Sequence, residues 1–249
     1  MNPKEKFKNL DCDMFKLKEF TLLTLIVALT IALVFVSSWA NGMVIFDNLS
    51  ESINKQILYQ TTTLIGTTIF LFILWWTKRR NFQDFFRKGN ISAEVLPEKL
   101  VGIKPKPNEN WSHVGRDFAI IISAATAIVI YFQLVKESEV SIGSITKILP
   151  FSIIFALSNS FVEESITRLG VVVVLKGKLT DKLIPFVSAL IFGIVHYWGD
   201  PGGFMGVIVA GFLGWLLTKS IIETKGIFWA WFIHFLQDVI IFSALLTIR

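Results

Sequence analysis

Charge is scarce in this 249-residue sequence: Asp, Glu, Lys and Arg make up 17% of it, where a soluble domain carries about 25%. The scarcity is also uneven. No charged residue falls among the 27 positions between Glu19 and Asp47, or the 22 between Lys55 and Lys78. Further uncharged runs cover 118–135, 183–199, 201–218 and 226–237. About 20 mainly apolar helical residues cross a hydrocarbon core of about 30 Å. Together with 53% apolar residues, these gaps exclude a soluble globule and a disordered chain. Cysteine is nearly absent. The lone Cys12 excludes an intrachain disulfide and any disulfide scaffold, and leaves the redox compartment open. It sits in a polar N-terminal segment, away from every intramembrane polar group, so it is no candidate nucleophile. Sequence repeats, a second soluble domain and nucleic-acid motifs are likewise missing, which excludes nucleic acid as a partner.

What is present is an all-α, polytopic transmembrane helical bundle of about seven helices, with six and eight as the bounds. The expected spans are about 20–40, 57–77, 118–135, 148–175, 183–198, 202–219 and 226–247. The fourth is long and carries charges, which predicts a tilt or a break. The first apolar run follows 19 polar residues, which favours a retained anchor over a cleaved signal. Residues 1–117 group as N-terminal transmembrane helices plus a basic cytoplasmic loop, and 118–249 as the helical membrane core.

Lysine and arginine in the loops set the orientation. Nine of the 24 lie between Lys78 and Arg116, and five between Lys4 and Lys18. With the N-terminus inside, 19 fall in inner segments; the outer segments hold only Lys55, Lys136, Lys147 and Arg249. The N-terminus is therefore expected in the cytoplasm and the C-terminus outside. The basic loops then face anionic lipid. Trp39 and Trp198 fall at outer helix ends, and Trp75, Trp76 and Trp229 at inner ones, as an interfacial belt requires. The stretch from Arg79 to Lys88 interleaves aromatics with basic residues and reads as lying on the inner leaflet. Gly202, Gly206, Ala210 and Gly214 recur every fourth residue, which predicts a flat face for close helix packing.

Within these spans the ionisable residues are Glu163, Glu164, Arg168, His196, His234 and Asp238. Holding an Asp, Lys or Arg at mid-bilayer costs about 2.5–3.5 kcal/mol, so such groups face the interior, pair and mark a site. At about 1.5 Å of rise per residue, Glu163, His196 and Asp238 all lie roughly 18–20 Å from the inner face, with His234 one turn nearer to it. Glu164 and Arg168 are four apart and can pair on one helix face. His234 and Asp238 share a face in the same way. Glu163 points about 100° away from Glu164, so one carboxylate can hold the arginine while the other stays free.

Glu163-Glu164-x-x-x-Arg168, Phe192-x-x-x-His196 and His234-x-x-x-Asp238, in that order on successive apolar helices, resemble the CAAX protease and bacteriocin-processing family (CPBP, or Abi), which includes the Ras-converting CAAX endopeptidase. The resemblance covers about 145–247. It implies an intramembrane endopeptidase cleaving a peptide or a membrane-associated protein. In that reading Glu163 and His196 activate water, and His234, oriented by Asp238, faces the scissile carbonyl. Glu164 and Arg168 form a structural ion pair. The third motif commonly ends in Asn in the eukaryotic enzymes; Asp238 departs from this, and an unprotonated carboxylate donates no hydrogen bond to an oxyanion. Glu163, His196 and His234 also form a set able to hold zinc with an open position for water. The metal-free route is slightly favoured, so no cofactor is assigned. The resemblance extends to CAAX-type processing, bacteriocin maturation or self-immunity, and peptide-pheromone processing. Two other readings stay open: a non-proteolytic membrane regulator, for example of a sensor kinase, that keeps the motif as scaffold, and an ion-coupled transporter using buried carboxylates as relays.

Overall fold

The computed structural model describes residues 17–136, 138, 142–199 and 202–248. Cys12, Arg249 and the basic residues from Lys4 to Lys16 lie outside the described residues. Those described form helices joined by short loops, with isolated bridges such as Glu98–Ile103 in place of strands. In chain order the helices are α1 (Leu17–Trp39), α2 (Glu51–Thr77), α3 (Arg79–Phe85), α4 (Trp111–Ile130), α5 (Ile142–Glu164), α6 (Gly170–Leu175), α7 (Ile184–Val195), α8 (Gly203–Thr224) and α9 (Phe228–Ile248). A π-turn over Ser165–Leu169 joins α5 to α6, and a 3-10 turn over His196–Trp198 ends α7.

Six helical stretches are long and apolar enough to cross a membrane: α1, α2, α4 with its extension to Val135, Gly143–Leu175, α8 and α9. The chain is an integral membrane protein. The expected fifth span, 183–198, is shorter, an apolar helix over Ile184–Trp198. At 1.5 Å per residue it reaches about 22 Å, less than a hydrocarbon core. Pro185 opens it in the first turn, where a missing N–H costs nothing. Several helices start earlier or end later than the uncharged runs, because charged residues occupy helix ends beyond the hydrocarbon. α4 takes in Arg116 and Asp117, and α8 continues past Lys219 to Thr224.

The long fourth span is continuous through Pro150, and the break expected there is instead the π-turn at Ser165. Its C-terminal part is the centre of the molecule: Leu169 and every residue from Val171 to Leu175 are fully buried. α9 packs between α4 and α5, α7 lies along α8, and α1 and α2 close the remaining side. Lipid is as apolar as leucine, so close backbone approach and polar links hold such a bundle. At the α7–α8 contact, a Cβ on Gly193 would come within 2.8 Å of the Val207 carbonyl oxygen and 3.1 Å of Gly211 Cα. Gly214 of the expected stripe lies against Ala189 and Phe192, joined by Gly211, which the four-residue count leaves out.

The basic loop is more ordered than its prolines indicate. Phe82 and Phe85 turn into the protein, so α3 docks on the bundle through its aromatic face. Asn81 donates from Nδ2 to the Val173 and Lys176 carbonyls at 2.9 and 3.1 Å, satisfying the end of α6. Gly89, in the left-handed region at φ +78°, crosses Gly226 where no Cβ fits on either chain. Next to it Lys219 and Glu223 form a buried pair. Lys219 also donates to the Leu96 carbonyl at 2.8 Å, and Glu223 accepts from the Trp111 indole at 2.8 Å. Trp229, expected in the lipid interface, is buried and donates its indole N–H to the Ile91 carbonyl at 3.0 Å. The inventory of buried charges within the helices therefore grows by Lys219, Glu223 and Glu19, the last paired with Lys78.

Candidate active site

The six expected residues come from three places that the fold brings together. The end of α5 and its π-turn carry Glu163, Glu164 and Arg168; the end of α7 carries His196; the second and third turns of α9 carry His234 and Asp238. A π-turn adds a residue to the helical repeat, and such turns collect at functional sites. Here it begins directly after Glu164.

Arg168 is fully buried. Its Nη1 lies 3.2 Å from Glu164 Oε1 and 2.7 Å from Thr167 Oγ1, and its guanidinium stacks on Phe192 with Cζ 3.4 Å from the ring centroid. Phe192, one turn before His196, thus covers the arginine with one face while its centroid lies 4.1 Å from that of the His196 ring. Glu164 Oε1 also accepts from His234 Nδ1 at 2.7 Å. The carboxylate assigned to the arginine is therefore shared, and Glu164 is the nearest partner of His234.

His234 Nε2 then faces two further carboxylates, Glu163 Oε2 at 3.7 Å and Asp238 Oδ1 at 3.6 Å. A residue outside the three motifs links this pair. Asn159 donates from Nδ2 to Asp238 Oδ2 at 3.0 Å and to Glu163 Oε1 at 3.1 Å. It lies one turn before Glu163 on the same face of α5, a spacing that could have found it; an inventory of charges alone passes over a neutral amide.

His196 stands apart from this network. Its Nδ1 lies 2.8 Å from the Phe192 carbonyl oxygen, an acceptor, so Nδ1 carries the proton and Nε2 is left with a lone pair in the neutral ring. His196 and Glu163 line one cavity of about 260 Å³, with Thr30, Leu33, Val34, Ser37 and Ser38 of α1, Tyr59 of α2, and Thr167, Phe192, Val195, Trp198 and Gly199. His234 and Asp238 do not line it.

Among the described residues no three or more His, Cys, Asp and Glu side chains are arranged to hold a metal ion. Glu163, His196 and His234, the set that the sequence offers to zinc, are not grouped in that way.

Residues 145–240 match the family described as type II CAAX prenyl endopeptidase Rce1-like. That stretch is therefore similar to the Rce1-like family. No curated protein and no solved structure matches the chain. The Rce1-like stretch begins inside α5 and ends inside α9, and holds all six expected residues together with Asn159. The walls supplied by α1 and α2 lie outside it.

Proposed function

We propose that this protein is an intramembrane endopeptidase in which Glu163 and His196 activate the hydrolytic water. The observation that carries the reading is that this carboxylate and this imidazole, whose Nδ1 is committed to the Phe192 carbonyl, line the same cavity inside the membrane. A general base must reach the proton it removes, and among the described residues Glu163 is the carboxylate on the cavity wall. Asn159 and His234 hold Glu163 from behind; Glu164 and Arg168 hold His234 and Phe192. In this arrangement His234 positions Glu163, and Asp238 anchors Asn159.

The cavity extends from Glu163 to Ser37, Ser38, Trp198 and Gly199, at the bundle end opposite the basic loop from Lys78 to Arg116. With that loop in the cytoplasm, the cavity opens on the outer side. The substrate is then a peptide or a membrane-associated polypeptide segment presented at the outer leaflet, with Leu33, Val34 and Val195 meeting its apolar side chains.

The test compares wild type with Glu163→Gln and His196→Ala in cells with matched protein levels, following cleavage of candidate exported peptides by mass spectrometry. Loss of cleavage in both variants is expected. Full cleavage in both rejects the endopeptidase reading and leaves the regulatory one. For the side of access, Ser38→Cys in a Cys12→Ser background should react with an impermeant maleimide in intact cells, and Ser92→Cys only after lysis. The reverse pattern rejects the outer opening.

A further inference from the structure

Peptide hydrolysis needs a donor aimed at the carbonyl oxygen as it becomes an oxyanion. Most of the donors around the cavity are already committed. Thr30 and Thr167 give their hydroxyl protons to the carbonyls of Ile26 and Glu163, at 2.8 and 2.7 Å, and Ser38 gives its proton to Val34 at 3.3 Å. His196 spends Nδ1–H on Phe192. Asp238 is a carboxylate outside the cavity lining and is itself held by Asn159.

Tyr59 is different. It lies in the outer half of α2, is 9% exposed, and lines the cavity together with Glu163 and His196. Its hydroxyl has no hydrogen-bond partner among the described residues, although Glu163 and Asp238 both lie within electrostatic range of it. A buried phenol ordinarily finds a partner. A phenol that faces a reaction cavity beside the base, and has none, is available to a substrate.

We propose that Tyr59 is a catalytic residue whose phenolic O–H donates a hydrogen bond to the oxyanion of the tetrahedral intermediate. The proposal rests on the endopeptidase reading. The water oxygen bonds to the carbonyl carbon while its proton passes to Glu163. The carbonyl π pair becomes the oxyanion, which Tyr59 stabilises without surrendering its own proton. On collapse the C–N bond breaks and the proton held by Glu163 passes to the leaving nitrogen. An essential donor is thereby supplied by a helix outside the Rce1-like stretch.

The experiment uses the full-length protein in proteoliposomes and, as probe, the internally quenched octapeptide that wild type cleaves fastest from a random pool. Tyr59→Phe keeps the ring and removes only the hydroxyl, and kcat should fall about 100- to 1,000-fold, with KM and melting temperature close to wild type. Tyr59→Phe retaining kcat within about threefold, beside an inactive Glu163→Gln, overturns the proposal and leaves the endopeptidase reading standing. Glu163→Gln cleaving at the wild-type rate overturns both. Replacing Tyr59 by 2,3-difluorotyrosine covers any loss of folding in the Phe variant, since it preserves shape and makes the phenol more acidic. Cleavage should be retained with the difluorotyrosine hydroxyl and lost with Phe; a difluorotyrosine protein that folds and is as inactive as Tyr59→Phe overturns the proposal.

Discussion

Replacing Arg168 by Leu removes the guanidinium from a buried group of three carboxylates, Glu163, Glu164 and Asp238. In the folded protein Arg168 is held by Glu164 Oε1 at 3.2 Å, by Thr167 Oγ1 at 2.7 Å and by the face of Phe192. Leu keeps much of the volume and none of the charge. Glu164 then retains His234 Nδ1 as its only close partner. Leaving one member of a buried pair uncompensated costs about 3–5 kcal/mol, and the desolvated cation–π contact accounts for about 2 kcal/mol of stabilisation in comparable sites. These overlap, so the expected loss for Arg168→Leu is about 3–5 kcal/mol. Glu164→Gln should cost a similar amount, because it strands the guanidinium, although Gln still offers an oxygen to His234. The double variant strands neither charge. It should therefore be more stable than the sum of the singles predicts, with a coupling of about 2–3 kcal/mol. Reversible unfolding in mixed detergent micelles measures all four proteins on one scale. Because Phe192 touches both Arg168 and His196, cleavage should also fall in Arg168→Leu under conditions where it stays folded. Single-variant costs that simply add in the double, or a cost below about 1 kcal/mol for Arg168→Leu, would refute the reasoning.

Asn159→Ala takes away the amide shared by Asp238 and Glu163; leaving buried acceptors unpaired should cost about 1–3 kcal/mol, and kcat should fall while the peptide KM stays unchanged. Gly226→Ala would set a Cβ 2.4 Å from Gly89 Cα and the Lys88 carbonyl oxygen, so the basic loop should undock, at a cost of about 1–3 kcal/mol, and limited proteolysis should cut between residues 86 and 110. Lys219→Met leaves Glu223 buried beside Trp111 and frees the Leu96 carbonyl; the same proteolysis assay should show faster cutting of that loop, and unchanged protection would mean the pair does not anchor it.

Much of the site could be read from spacing, because a helix repeats every 3.6 residues. Four-residue intervals put Glu164 with Arg168 and His234 with Asp238 on shared faces, and the absence of other charges made these residues visible. Spacing says nothing about partners on other helices. Glu164 was matched to Arg168 within α5, yet it also takes His234 from α9. Asn159 escaped notice because neutral amides are unremarkable in sequence, and became important only when Asp238 arrived 3.0 Å away. Lys219 and Glu223 pair beneath Leu96 of the basic loop and Trp111 at the start of α4, neighbours that no local spacing announces. Trp229, expected at the inner interface, is covered by the same loop through Ile91.

The sequence by itself determined that the chain lives in a membrane, roughly where it crosses, and which few ionisable groups lie inside. Those follow from transfer free energies, which depend on composition and order along the chain alone. Only the tertiary structure decided which nitrogen of each histidine is committed, that His196 shares the cavity with Glu163 while His234 lies behind it, and that α1 and Tyr59 of α2 form the remaining wall. These are relations between helices far apart in the chain, fixed by the directions in which side chains leave packed backbones, and no local period encodes them.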